Sequence, residues 1–271
     1  MIHQSGLRSK STWWPKLCLA LILLASVSLT AGCGSSPVKY VKNLFGIGSN
    51  DPMPMGDISV DLASRAQERM EAGDYKEAAK LWQQLRDQYP YSNLALLADL
   101  KLGDALYNDR KYIEAFAAYK TFNERHPDSD AIPYSLYQQG MCYYSQMMGV
   151  DRDQTPSVVA IQYLANLVET YPDSKYATMA RARITEAQNN LAGHEFYVGE
   201  FYYKRKDYRA AINRFVGIIT YYPDSGYHQR AYNYIAEYRD LLARGEIKDE
   251  GNQRPSEFNS PFTIQDVQSP I

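Results

Sequence analysis

Apolar residues recur with helical spacing in four stretches of the chain, and each stretch ends at a proline. An alanine lies 12 residues before this proline, a large apolar residue lies 8 before it, and a serine lies 2 after it. The four prolines are Pro90, Pro127, Pro172 and Pro223. Residues at these intervals lie on one face of an α-helix, which turns once in about 3.6 residues. The pattern predicts four helices, each with one buried face.

The residues around each proline predict that one helix ends there and another begins. Proline cannot continue a helix, and it disfavours helical angles in the residue before it. The serine that follows can cap the next helix. The first two prolines are 37 residues apart, close to the ~34 residues of a tetratricopeptide repeat, which is a pair of helices. We therefore predict an all-α, tetratricopeptide-like solenoid of about five helix pairs. An ordinary helical bundle with chance Tyr-Pro turns is the alternative.

The second interval predicts an inserted loop. Pro127 and Pro172 are 45 residues apart, and the excess falls in residues 147–155, which are mostly polar. Insertions in solenoids occur in loops, often on the face that binds a partner. A surface loop without a binding role is the alternative.

The third interval predicts an unusually long helix. Pro172 and Pro223 are 51 residues apart, 14 more than the first interval. Because 14 residues make roughly four helical turns, a helix lengthened by this amount keeps its apolar face in phase. We expect helix from Lys175 to about Lys204, bent or broken near Ala192-Gly193, and a last capping helix that ends near Arg244.

The N-terminus predicts export and a lipid anchor. Basic residues precede an apolar run, Leu17–Leu29, which is shorter than the ~20 residues of a membrane-spanning helix and is typical of a secretory signal. The segment ends in Ala31-Gly32-Cys33, which resembles the processing site of bacterial lipoproteins. Such processing makes Cys33 the mature N-terminus and gives it a diacylglycerol and an N-acyl chain such as palmitate. Signal cleavage beside an incidental cysteine is the alternative.

These features divide the chain into five segments. They are a lipoprotein signal peptide (1–32), a lipidated flexible tether (33–57), an N-terminal repeat half (58–147), the remaining repeats with the inserted loop (148–244) and a mobile tail (245–271).

Composition and motifs argue against catalysis and nucleic-acid binding. The formal net charge is −2, which is not the basic footprint of a nucleic-acid-binding protein. No His-x-x-x-His or Cys-x-x-Cys pair, phosphate loop or Gly-x-Ser-x-Gly motif is present. The acidic residues of the inserted loop lack calcium-loop spacing. We therefore expect no enzyme, no metal and no cofactor beyond the acyl chains on Cys33. An enzyme that uses His194-Glu195 is the alternative, but adjacent helical residues do not face each other.

Three short sequence segments in the second half of the chain resemble those of a known family. They are the inserted Asp151–Pro156 segment, the Leu191–Glu195 segment and the Asn213-Arg214 pair. Together with the repeats and the lipoprotein signal, they make the chain similar to the BamD family. Members are lipoproteins of the β-barrel assembly machinery in Gram-negative outer membranes. The resemblance covers about residues 55–245.

This resemblance implies a non-enzymatic scaffold on the periplasmic face of the outer membrane. The N-terminal half of such proteins engages unfolded outer-membrane protein segments. The C-terminal half docks on the POTRA domains of the barrel subunit BamA and on accessory assembly lipoproteins. Arg214 stands at the position of a family arginine that contacts the barrel subunit, and Arg205 lies on the same half. A solvated charge on the outer face is the alternative for Arg214.

Further partner-binding candidates come from the loop and from the first helices of the repeats. They are Asp151, Arg152 and Asp153 in the loop, and Tyr107, Tyr137 and Tyr144 in the helices. Each tyrosine could instead belong to the repeat core. At the level of the whole protein, the competing hypothesis is a different tetratricopeptide lipoprotein, one that coordinates cell division or cell-wall synthesis.

Overall fold

A computed structural model describes residues 58–248, which form nine α-helices and contain no strand. The helices are α1 (Ile58–Glu71), α2 (Tyr75–Gln88), α3 (Ala95–Asn108), α4 (Tyr112–Arg125), α5 (Ile132–Tyr144), α6 (Thr155–Thr170), α7 (Lys175–Lys204), α8 (Tyr208–Tyr221) and α9 (His228–Ala243). The predicted signal peptide, Cys33, the tether and the tail from residue 249 onward lie outside the described residues.

The helices pack in the order of the chain. Each helix contacts the next one, and α5 also contacts α7. The pairs α1–α2, α3–α4, α5–α6 and α7–α8 are followed by the single helix α9 within residues 58–248. This is the packing of a tetratricopeptide-like solenoid, so the all-α prediction is confirmed. None of the helices described between Ile58 and Lys248 is long and apolar enough to cross a bilayer.

Each repeat interlocks through a small residue in its first helix and a large residue in its second. The large residues are the apolar ones eight positions before each proline, and all are fully buried: Trp82, Tyr119, Leu164 and Phe215. In three repeats a glycine lies directly beneath this side chain. A Cβ added there would lie 2.6 Å from Tyr119 at Gly103, 2.5 Å from Leu164 at Gly140 and 2.6 Å from Phe215 at Gly199. The two helices therefore approach closely because the first one carries no side chain at this point.

Three of the serines that follow the prolines accept bonds from backbone N–H groups, whereas the buried Ser225 hydroxyl has no hydrogen-bond partner within residues 58–248 and does not cap α9. Ser174 is the N-cap of α7, and its hydroxyl accepts a bond of 3.1 Å from the Tyr176 N–H. Ser92 and Ser129 accept bonds of 3.2 Å from N–H groups two residues later, in the turns that precede α3 and α5. The capping prediction is therefore confirmed for α7, whereas at α3 and α5 the serine stabilises the turn before the helix.

The long helix predicted after Pro172 is present without the expected break. α7 runs continuously through Ala192 and Gly193. At Gly193 a Cβ would lie 2.6 Å from Cγ1 of Val150 in the inserted loop. The glycine thus allows the loop to approach the helix and does not interrupt it.

The turns within three repeats place one residue at positive φ. This residue is Gly73 (φ 75°) in the first repeat, but Arg110 (φ 61°) in the second and Lys206 (φ 65°) in the fourth. Side chains with a Cβ are strained there, whereas glycine is not.

We expect Lys206→Gly and Arg110→Gly each to raise the free energy of unfolding by up to about 1 kcal/mol, because the strain is removed. The matched control is Gly73→Ala. No atom lies within 4 Å of a Cβ built at Gly73, so strain alone should lower stability by about 1 kcal/mol. Urea unfolding of residues 58–248 measures both effects. A loss of stability in Lys206→Gly would show that the positive φ at this position is not a source of strain.

Candidate functional site

The inserted loop, residues 147–154, is held by a buried glutamine. Gln154 is only 2% exposed. Its amide donates to the carbonyl oxygens of Gly149 at 3.0 Å and Arg152 at 2.9 Å. Because one buried side chain satisfies two carbonyls of the loop, the loop has a defined conformation.

The same loop is fixed to α7. Asn190 donates to the Met148 carbonyl at 3.1 Å and to the Gln154 side-chain oxygen at 2.7 Å. One turn later, His194 Nδ1 lies 2.7 Å from the Val150 carbonyl. With Gly193 beneath Val150, these contacts show that the insertion is an ordered extension of the α7 surface.

The three loop residues predicted to bind a partner are all exposed but differ in their bonds. The carboxylate of Asp153 accepts from the Thr155 N–H at 3.0 Å and from its hydroxyl at 2.8 Å. These bonds lower the pKa of Asp153, the backbone bond most of all. Asp153 therefore stabilises the start of α6. Asp151 and Arg152 form an exposed ion pair of 3.5 Å and remain accessible from outside.

Arg205, the second predicted contact residue, lies at the end of α7 beside an exposed aromatic surface. Its guanidinium stands over the ring of Phe201, 5.3 Å from the centroid. Phe201 and Tyr197, one turn apart on α7, are each 51% exposed. Sequence reasoning missed these two rings, because the apolar periodicity of α7 does not reveal which of its residues lack a neighbouring helix.

Arg214 forms an ion pair within the protein. Its NH1 donates to Glu195 Oε2 at 2.9 Å, which joins α8 to α7. The Glu195 side chain is 3% exposed and the Arg214 side chain 30%. Burial and the nearby Glu195 charge raise the pKa of Tyr222 to about 12. Arg214 is thus neither fully solvated nor fully buried, and it is bonded to Glu195, which was not among the predicted partner-binding residues.

The three predicted tyrosines have different environments. Tyr137 is only 6% exposed and belongs to the core around Leu164, Leu167 and Ala180. The hydroxyl of Tyr107 shares a 2.6 Å hydrogen bond with that of Ser145. Tyr144 donates to Glu186, and Arg183 stands over its ring. Tyr137 presents almost no surface to a partner, whereas the rings of Tyr107 and Tyr144 are partly accessible.

Residues 58–248 contain no group of three or more His, Cys, Asp or Glu side chains that could hold a metal ion. Cys142, the cysteine in this range, is free and buried, and burial raises its pKa to about 12. The polar groups described above form bonds that position loops and helices. Fold and site together define a helical-repeat protein of the tetratricopeptide-like class.

Comparison with known proteins defines the family. Residues 57–250 match the family model YfiO, described as an outer membrane lipoprotein. The chain belongs to this family.

Several relatives carry the name "Outer membrane protein assembly factor BamD". The protein of Caulobacter vibrioides is 30% identical over 70% of this chain and 63% of its own length. That of Neisseria gonorrhoeae is 32% identical over 67% of this chain and 72% of its own length. That of Pasteurella multocida is 27% identical over 78% of this chain and 84% of its own length. The match thus spans less than two thirds of the Caulobacter protein.

Proposed function

We propose that this protein is a non-enzymatic scaffold lipoprotein of the β-barrel assembly machinery. In this role it helps outer-membrane β-barrel proteins to fold and insert. Membership of the outer membrane lipoprotein family and the assembly-factor name of the relatives support the general role. The finer assignment of partners rests on the surfaces of the described residues.

The observation that carries the proposal is that one helix, α7, organises the charged groups predicted to bind a partner. The inserted loop with Asp151 and Arg152 is bonded to Asn190 and His194 of α7. Arg205 is the C-cap residue of α7. Arg214 is bonded to Glu195, again on α7. A continuous helix can hold such groups in fixed relative positions, which suits docking on a folded partner.

We assign this surface to the barrel subunit, through its POTRA domains, and to accessory assembly lipoproteins. The exposed rings of Tyr197 and Phe201 beside Arg205 support the assignment, because aromatic residues and arginine are enriched at protein interfaces. The N-terminal half takes unfolded outer-membrane protein segments, with Tyr107 and Tyr144 as candidate contacts. Acyl chains on Cys33 anchor the protein to the outer membrane on its periplasmic face.

The proposal predicts that Arg205→Glu weakens capture of the barrel subunit. Arg205 contacts the Phe201 ring and forms no ion pair within residues 58–248, so the change should leave stability within about 0.5 kcal/mol. Capture from solubilised membranes should fall about tenfold or more, because charge reversal replaces attraction by repulsion. Arg214→Glu is less suitable, because it would place a second carboxylate against the buried Glu195.

The matched control is Lys120→Glu, the same charge reversal at an exposed residue of α4. It should capture the barrel subunit as the wild type does. Recovery of division or cell-wall factors by the wild type, without a β-barrel protein that carries POTRA domains, would favour the competing lipoprotein hypothesis and overturn the proposal.

A further inference from the structure

The Glu195–Arg214 pair is unusual for its position in the repeat. Glu195 lies four residues before Gly199, and Arg214 directly precedes Phe215, the residue that covers this glycine. The equivalent positions of the first repeat, relative to Ala66 and Trp82, are Leu62 and Leu81, and both are buried. The fold can therefore fill these two positions with apolar side chains.

The other repeats also lack a charged residue at the position of Arg214. The residue directly before the large one is Leu81, Ala118 or Tyr163 in the first three repeats and is charged only in the fourth. The second repeat does carry a buried carboxylate, Asp99, at the position equivalent to Glu195. Its partners are Arg125 at 3.3 Å and His126 at 2.9 Å, at the end of α4, and Arg86 at 4.0 Å, in the last turn of α2. An arginine in the middle of the second helix is thus particular to the fourth repeat.

Packing does not account for this pair. Removing two charges from water is costly, and apolar residues of similar volume are often as stabilising as a buried ion pair, or more so. The Glu195 side chain is 3% exposed, whereas the Arg214 side chain is 30% exposed, so Arg214 reaches the protein surface. The bond from NH1 is the only one that Arg214 makes within residues 58–248. Its Nε and NH2 groups, which can pair with a carboxylate in a planar fork, have no partner there.

We propose that Glu195 is a positioning residue. It holds NH1 of Arg214 so that the remaining N–H groups face outward in a fixed orientation, ready to bind a carboxylate on the barrel subunit. Pre-orientation increases affinity because the arginine loses less side-chain freedom on binding. This inference rests on the proposed function and adds to it the residue that prepares Arg214 for binding.

The first repeat supplies the variant that tests it. Glu195→Leu/Arg214→Leu reproduces the Leu62 and Leu81 arrangement and should unfold in urea at or above the wild-type midpoint. The affinity of the full-length protein for the purified POTRA domains is then measured for the wild type, this double variant, Glu195→Leu and Glu195→Gln. The double variant should bind roughly 10- to 100-fold more weakly, as expected for the loss of hydrogen bonds to a charged group.

The two single variants test whether Glu195 acts by positioning Arg214. Glu195→Leu should lose a part of the affinity that the double variant loses, because Arg214 is still present but is no longer held in its orientation. Glu195→Gln keeps an acceptor oxygen for NH1 and should bind within about threefold of the wild type. Wild-type affinity in Glu195→Leu, with loss only in the double variant, would overturn the positioning role but leave the docking proposal intact. Failure of the wild-type protein to bind the POTRA domains would overturn the proposed function itself.

Discussion

Phe215→Ala will lower the free energy of unfolding by about 3–5 kcal/mol, the usual cost of truncating a buried phenylalanine. The ring is fully buried in the cluster formed by α6, α7, α8 and α9. It covers Gly199 and packs against two other rings. The distance between ring centroids is 5.5 Å to Phe196 and 4.7 Å to Tyr234, on which it stacks. Because a glycine lies beneath it, no side chain of α7 can move in to fill the space at that point.

The matched control is Phe201→Ala, the same change at a ring that is 51% exposed on α7. It should cost less than about 1 kcal/mol, because little buried surface is lost. Urea unfolding followed by circular dichroism measures both variants. Equal losses at the two positions would contradict the interlocking of the fourth repeat described here.

Asp104→Ala will cost a similar amount, about 3–5 kcal/mol, by a different mechanism. The buried Asp104 carboxylate accepts from the hydroxyls of Tyr119 at 2.8 Å and Tyr134 at 2.6 Å, and from Lys101 Nζ at 2.8 Å. Burial, together with this carboxylate, raises the pKa of both tyrosines well above its ordinary value. Removal of the carboxylate leaves the buried Tyr119 hydroxyl without its acceptor, and such orphaned groups are expensive.

Two controls distinguish the effect of this network on stability from the effect of a surface charge. Asp61→Ala removes a carboxylate whose ion pair with Arg65 is exposed and 3.6 Å long, and should change stability by less than about 1 kcal/mol. Asp104→Asn keeps an acceptor for the tyrosines and should lie between the alanine variant and the wild type. A loss of less than about 1 kcal/mol for Asp104→Ala would show that the network contributes little.

Residue spacing was sufficient to predict the helices and the centre of each repeat. Trp82, Tyr119, Leu164 and Phe215 are fully buried because a helix places residues at these intervals on one face. The 14 additional residues before Pro223 gave the long helix for the same reason. Spacing could not show that the helix continues through Gly193 and that the inserted loop packs there. Both depend on Val150, which lies 43 positions earlier in the sequence.

Less of the candidate site than of the fold could be predicted from the sequence. Resemblance indicated Arg205 and Arg214, but the partners that decide their state lie on other parts of the chain. Glu195 is buried against Arg214 only because α8 folds back on α7. Tyr137 was a candidate for the surface, with the core as the alternative, and the core around Leu164 determines that it is buried. Pairwise burial of this kind follows from packing and not from helical periodicity.

The docking surface proposed on α7 can be tested by photo-crosslinking in living cells. The full-length protein carries benzoylphenylalanine at Phe201, beside Arg205, or at Ile113 on α4, which is 74% exposed. We expect position 201 to crosslink to a β-barrel membrane protein with POTRA domains, whereas position 113 should not. Crosslinks from position 201 only to other proteins, or equal crosslinks to the barrel subunit from both positions, would contradict this expectation.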